Sequence, residues 1–536
     1  MAQKETSSKS RRWLGLSGAA VLVANLVLTG TTIAFQQEGE VNHALGIEGA
    51  DASYGGTEFS ADGTLSDASY EKYIEAAYQF CEQEEEEGSV LLYNRNNALP
   101  LSESERNVTV FGRGSIDPVF RSTAGGSSTN PDYQKTPVDA LQDAGFNVNQ
   151  TVLDAYASAA APKERSVSSV GEYDPALFTG SVTDSFASYG DVAFVTLSRF
   201  ATEGNDLAMV NDEGKRMLEL DDNEKAIFQK IKDSGKFKKT VVLLNSVFAM
   251  EMDWLDEYNV DAVLWVGNPG FYGMPGAIRV VTGEVNPSGH TTATFAANSL
   301  SAPSAENFGL HAYNYGSKTP RAAGDSFVSY NEGIYVGYRY YQTAGVPVAF
   351  PFGYGLSYTS FAYSKLKADA RSVTLTVTNT GSRAGAEIVQ VYAAKPDAQI
   401  FRPAQELKAF TKVWLEAGES KTVPLPLDDK AFRYWNTKTD SWEVEGGTYE
   451  LRVGASSADI RLTAAVEVNG TSAPNPYAGK ALPHYTSGKV QRVPEDEWEI
   501  LLGRPIPADT VKIDRNMTLG ELNHSRSPLC WLVWAV

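Results

Sequence analysis

Through the middle of the chain, short and almost wholly apolar runs alternate with stretches whose apolar residues recur every three or four positions. The runs are Val108–Gly112, Val192–Leu197, Thr240–Asn245 and Ala262–Val266; the helical stretches are Pro137–Ala144, Asn223–Ser234 and Gly276–Thr282. Strands that are apolar on both faces, separated by helices, predict a mostly parallel sheet covered on either side. This is an α/β sandwich domain, expected over residues 66–352. A helical pattern from Asp67 to Leu92, carried by Tyr70, Tyr73, Ile74, Ala77 and Phe80, leads into it. Ligands of such sheets sit outside the carboxyl ends of the strands. The loops to watch are therefore Arg113–Asn130, Ser198–Met209, Ser246–Met252 and Gly267–Met274.

After Tyr358 the texture changes to short strands divided by turns. Val373–Thr378, Ile388–Ala393, Lys408–Leu415, Lys421–Leu427 and Thr448–Val453 predict an immunoglobulin-like β-sandwich over residues 353–470. Residues 471–536 are Pro-rich and read as an irregular extension. Its closing apolar run, Pro528–Val536, is too short to cross a bilayer. Where the two textures meet, residues 350–361 read Phe-Pro-Phe-Gly-Tyr-Gly-Leu-Ser-Tyr-Thr-Ser-Phe. Rings beside glycines mark close backbone approaches under apolar cover. Phe352, Tyr354 and Tyr358 are expected to be largely buried. Tyr335, Tyr338, Tyr340 and Tyr341, just upstream, read as a buried aromatic cluster in preference to a sugar-stacking platform.

Composition narrows the function classes. The 536 residues allow two or three domains, and a net charge of −20 argues against nucleic acid as a partner. Neutral ligands such as sugars remain compatible. Cys81 and Cys530 alone make no disulfide framework, and the five histidines lie at no metal-binding spacing. No metal and no cofactor are expected. Gly-x-Ser-x-Gly, Gly-Lys-Ser/Thr and Gly-x-Gly-x-x-Gly are absent. The Asn107 and Asn469 sequons are taken as chance. At the N-terminus a basic flank (residues 1–12, with Lys9, Arg11 and Arg12) precedes an uncharged run, Trp13–Phe35. That run is long enough for a transmembrane signal anchor with its N-terminus in the cytoplasm and the bulk of the chain outside the cell. A cleaved signal peptide is the alternative, although its apolar region is usually about 7–15 residues. Residues 36–65 are polar and Gly-rich, a linker.

Several landmarks follow one another along the chain. They are Glu87-Gly-Ser-Val-Leu-Leu-Tyr at the first helix-to-strand junction, Ser122-Thr-Ala-Gly-Gly-Ser127, and Arg199-Phe-Ala-Thr-Glu-Gly-Asn-Asp206. Gly283-Glu-Val-Asn-Pro-Ser-Gly289, Glu332-Gly-Ile-Tyr-Val-Gly-Tyr-Arg-Tyr-Tyr341 and the 350–361 seam complete the series. Together they resemble glycoside hydrolase family 3 over roughly residues 70–470. The seam resembles that family's junction between an α/β sandwich and a fibronectin-III-like domain. The resemblance implies a retaining, exo-acting hydrolysis of O-glycosyl bonds of the β-glucosidase type, acting on a glycoside or oligosaccharide. It implies Glu203 as the catalytic acid/base, with Arg121 and Asp206 on the substrate-binding side.

Glycoside cleavage needs one carboxylic acid to protonate the leaving oxygen and a second carboxylate to attack, about 5–5.5 Å away in retaining enzymes. Glu203 supplies only the first. Its competing reading is an exposed loop glutamate; those of Arg121 and Asp206 are a surface salt bridge and an Asx-type bond that holds the loop. Two departures from the family stand out. Gly267-Asn-Pro-Gly-Phe-Tyr-Gly273 replaces the usual Gly with Gln or Glu. The Ser-Asp-Trp motif that typically bears the nucleophile, in a (β/α)₈ barrel of about 250 residues, is absent. The barrel is expected to be missing, encoded separately or lost by truncation. The chain's start resembles a related group that has an N-terminal anchor and places the sandwich before the barrel. Two readings follow: an exported glycoside hydrolase that is incomplete without a separate barrel domain, or a membrane-tethered carbohydrate-binding or scaffold protein without turnover.

Overall fold

The structure is a computed structural model that describes residues 67–120, 134–201, 206–307, 311–312, 326–506 and 528–535. Residues 73–536 form one compact unit; the preceding unit, residues 1–72, is described only where the helix Asp67–Gly88 begins. The expected anchor at 13–35 and linker at 36–65 lie outside the described residues, as do Arg121 and Glu203. Among the described residues no helix is long and apolar enough to cross a membrane.

Six strands form the first sheet: β1 (Val90–Asn94), β2 (Asn107–Phe111), β3 (Asn147–Val148), β4 (Val192–Ser198), β5 (Lys239–Asn245) and β6 (Ala262–Trp265). They lie in the order β1-β6-β5-β4-β2-β3. All run parallel except β1, which pairs antiparallel with β6 at the edge. The helical pattern to Leu92 thus ends early, at Gly88. Val90 and Leu91 pair instead with β6, Leu92 sits at a bulge in that ladder, and all three are buried. Every residue of β4 is buried, as a parallel strand covered on both faces must be. One face packs against Ile227, Phe228 and Ile231 of the helix Asp222–Ser234. The other packs against Val138 and Leu141 of Pro137–Asp143 and Ile278 and Val281 of Met274–Thr282. Reciprocal caps start two of these helices, Thr136 with Asp139 and Asp221 with Glu224.

The sandwich has a three-stranded sheet (Phe361–Ala368, Ser372–Asn379, Ser420–Pro426) and a four-stranded sheet (Glu406–Leu415, Gly385–Ala394, Gly447–Gly454, Ile460–Val468), both antiparallel. Alternation aims Val373, Leu375 and Val377 at Val389, Val391, Leu451 and Val453. Side-chain amides tie this sandwich to the first sheet's region. Asn286 Oδ1 accepts from Ser357 Oγ at 2.9 Å and from the Tyr358 N–H at 2.8 Å, and its Nδ2 donates to the Ala384 carbonyl at 2.9 Å. Gln390 Nε2 donates to the carbonyls of Gly353 at 2.9 Å and Ala455 at 2.8 Å. Gly353 has φ +77°, a left-handed conformation that strains other residues, and a Cβ there would crowd the Gln390 amide.

Phe352 stacks on Tyr338 with centroids 4.6 Å apart, and Phe350 on Tyr354 at 5.3 Å. Phe352, Tyr354 and Tyr358 are half-buried, less than the seam motif predicts. For Phe352 the reason is local: the ring lines a small cavity of about 180 Å³ beside Tyr338 and Ser457. Tyr335, Tyr340 and Tyr341 are buried, packed with Leu482, Tyr485 and Val490. The extension that supplies these partners is not wholly irregular. It forms helices at Pro483–Ser487, Glu495–Leu502 and Pro528–Ala535.

Candidate functional site

Strand β4 ends at Ser198, and the next residue turns inward. Arg199 has a side-chain exposure of 0% and meets Glu224, exposed by 1%, fork to fork. Its Nη1 and Nη2 each donate to a Glu224 oxygen at 2.8 Å. Its remaining N–H groups go to the carbonyls of Met217, Ser198 and Glu219 at 2.5–2.9 Å. The Glu224 carboxylate also accepts the Asp221 N–H at 2.8 Å, closing the cap of the helix Asp222–Ser234. An isolated buried charge would be costly; a bidentate pair with every donor used is tolerable. The loop that carries Glu203 therefore leaves the sheet from a fixed base. Burial raises the Asp221 carboxyl to about 6, with the Glu224 charge adding to the effect.

Strand β5 ends in a second bolt. Asn245 is fully buried and joins three loops. Its Oδ1 accepts from the Val119 N–H at 2.6 Å and from Ser198 Oγ at 2.9 Å. Its Nδ2 donates to the carbonyls of Val119 at 2.9 Å and Gly267 at 2.7 Å. A polar residue that closes an apolar strand is the only signal in the sequence for this role. After β2, the Arg113 N–H donates to both oxygens of buried Glu172 at 2.9 Å. Burial pushes the Glu172 carboxyl up to about 7, despite those backbone donors.

These loops enclose a cleft of about 510 Å³ lined by Arg113, Asp117, Phe120, Arg165, Phe200 and Phe271, among others. Phe120 and Phe271 lie 5.9 Å apart, centroid to centroid. Arg113 Nε donates to Asp117 Oδ2 at 2.8 Å, and Arg165 Nη1 lies 4.0 Å from the same oxygen. Arg165 Nε is buried without an acceptor among the described residues, and burial lowers the pKa of this guanidinium. Aromatic walls with guanidinium N–H groups suit a sugar, whose C–H faces stack on rings and whose hydroxyls accept hydrogen bonds.

Of the residues singled out by sequence, Asp206 is described, and it is exposed at the end of the β4 loop. Arg121 directly follows Phe120, and Glu203 lies three residues beyond Phe200, so both segments depart from this cleft. The Gly267–Gly273 loop reaches the cleft through Phe271. Sequence reasoning assigned no role to Arg165, Glu172, Glu224 or Asn245.

The model of the glycosyl hydrolase family 3 C-terminal domain matches residues 89–358, about half of the chain, and that of the fibronectin type III-like domain matches residues 387–457. Thermostable β-glucosidase B of Acetivibrio thermocellus is 32% identical over 414 residues, covering 75% of this chain and 50% of that enzyme. Exo-α-(1→6)-L-arabinopyranosidase of Bifidobacterium longum is 31% identical, covering 77% and 51%. β-Glucosidase 3B of Thermotoga neapolitana, solved in complex with α-D-glucose, superposes with a TM-score of 0.62 at 32% identity, over 74% of this chain and 54% of that one. The chain spans about half the length of the curated relatives it matches.

Proposed function

The chain belongs to glycoside hydrolase family 3, and from that premise we propose that it supplies the proton-donating half of a retaining, exo-acting glycoside hydrolase of the β-glucosidase type. Glu203 is the acid/base, the substrate is a glycoside or oligosaccharide, and the attacking carboxylate comes from a barrel domain outside this fold. Arg121 contacts the substrate; Asp206 does so or steadies the loop. In this proposal residues 13–35 anchor the chain, with residues 36–536 outside the cytoplasm. Protease added to intact cells would then degrade the bulk of the chain, and full protection would exclude export.

The observation that carries the reading is the shared cleft. The segments bearing Arg121 and Glu203 both leave it, through Phe120 and Phe200. Three residues of chain reach at most about 11 Å, and Arg199 fixes where that tether starts. A carboxyl within that reach would suit protonation of a leaving oxygen beside aromatic walls.

The test is turnover on aryl β-glucosides. The chain alone is expected to show little or none, because one carboxylate cannot both protonate and form the glycosyl-enzyme bond. Joined to a matching barrel, it becomes active. Glu203→Ala then slows poor leaving groups by about 10²–10⁴-fold, an activated nitrophenolate far less, and azide partly rescues the second step. Robust activity of the isolated chain would mean that a second carboxylate lies within it. Unchanged activity of the mutant pair would remove Glu203 from the mechanism.

A further inference from the structure

On a chain of net charge −20, one concavity has the opposite sign. It lies where the segment after the strand Gly385–Ala394 meets residues 475–486, and its volume is about 480 Å³, within the range of small-ligand pockets. None of its walls comes from the loops around Arg199 and Asn245. Among the described residues four cationic side chains line it, Lys395, Arg402, Arg452 and Lys480, and no carboxylate does.

Two of these charges are balanced from behind. Arg402 Nε lies 3.1 Å from Glu445 Oε2, and Arg452 Nε 3.2 Å from Glu450 Oε1. Among the described residues Lys395 and Lys480 have no carboxylate within ion-pair distance; Lys395 Nζ lies over the Tyr449 ring, 4.8 Å from its centroid. The Arg402 side chain is only 11% exposed, and its Nη2 is buried with no acceptor among the described residues. Its guanidinium is held over the Tyr434 ring, 5.2 Å from the centroid, which fixes its charge at the cavity wall. A ligand anion beside the two uncompensated ammonium groups would supply the missing charge. Phe401 and Tyr477, stacked with centroids 4.2 Å apart, form an apolar flank.

We propose that this cavity binds a small oxyanion, a ligand that carries a carboxylate or a phosphate. Two sources share that chemistry, an acidic sugar and a free or esterified phosphate, and the experiment separates them. Calorimetric titration of the full chain at low ionic strength uses sodium glucuronate, inorganic phosphate and, as the neutral control, glucose. Saturable binding of at least one anion is expected, weakened by added salt. Glucuronate alone assigns a sugar acid, phosphate alone a phosphate ligand, and both together an unselective oxyanion site.

Lys480 is exposed, so Lys480→Glu is expected to keep the unfolding midpoint of the ligand-free chain while weakening the anion at least about tenfold. Lys480→Arg keeps the binding. The proposal is overturned if neither anion binds below about 10 mM, if glucose competes with equal affinity, or if Lys480→Glu and Lys395→Gln both leave binding unchanged.

Discussion

Two joints organise the described chain, and they rest on opposite physics. At the carboxyl ends of β4 and β5 the joint is polar and dry. Arg199 and Glu224 are essentially without exposure, and Asn245 spends both amide atoms on three loops. At the seam with the sandwich the joint is aromatic and only half-buried, built on Phe352 against Tyr338 and Phe350 against Tyr354. Rings contribute area and tolerate small slips. Buried charge-assisted hydrogen bonds are directional, and they penalise heavily the loss of one partner. The chain that leads to Glu203, the proposed acid/base, leaves β4 at this directional joint.

Three experiments can break or sharpen this contrast. The largest effect is expected at the polar joint. Arg199→Ala strands the Glu224 carboxylate and should cost about 3–5 kcal/mol, read by urea unfolding. Arg199→Met combined with Glu224→Leu should recover most of that loss. If the double variant is as unstable as the single one, the joint is held by packing, not by charge pairing.

A smaller effect is expected at the seam. Phe352→Ala should cost about 2 kcal/mol, below the 3–5 typical of a fully packed core. A loss of about 4 kcal/mol would make the seam a core like the others, and the contrast would fail there.

The third test is a pH dependence beneath β2. The Glu172 carboxyl sits at about 7 in the folded chain against an ordinary 4.5, so the native state holds its proton more tightly than the unfolded state. The stability this contributes is complete below about pH 4.5 and is lost as pH rises to about 7, about 3 kcal/mol for a shift of that size. Glu172→Gln should flatten that decline when urea midpoints at pH 4.5 and 7.5 are compared. An unchanged slope would place the titrating group elsewhere; Glu85, raised by burial to about 8, is the next candidate.

Much of the fold was legible in hydrophobic period. The fully buried β4, the almost wholly buried β5, the helix Asp222–Ser234 and the alternating strand Ser372–Asn379 all stand within a residue or so of their predicted bounds. Elements whose exposure is mixed were not legible: the edge strand Phe361–Ala368, half-buried to exposed throughout, the edge strand Ile460–Val468, in which only Val466 is buried, and the two-residue β3. The run Val90–Leu92 read as helix because three apolar residues in a row fit either period, and only pairing with β6 decides between them.

By itself, then, the sequence determined which segments bury one face or both, because burial period is a local property of neighbouring residues. The family motifs also marked the loops that bear Arg121, Glu203 and Asp206. Only the tertiary structure decided how those loops are held. Arg199 meets a partner 25 residues away, Asn245 spans 126 residues to Val119, and Lys395 shares a cavity with Lys480. Such polar partnerships depend on which strand ends and turns the crossovers bring together, and no periodicity along the chain encodes that.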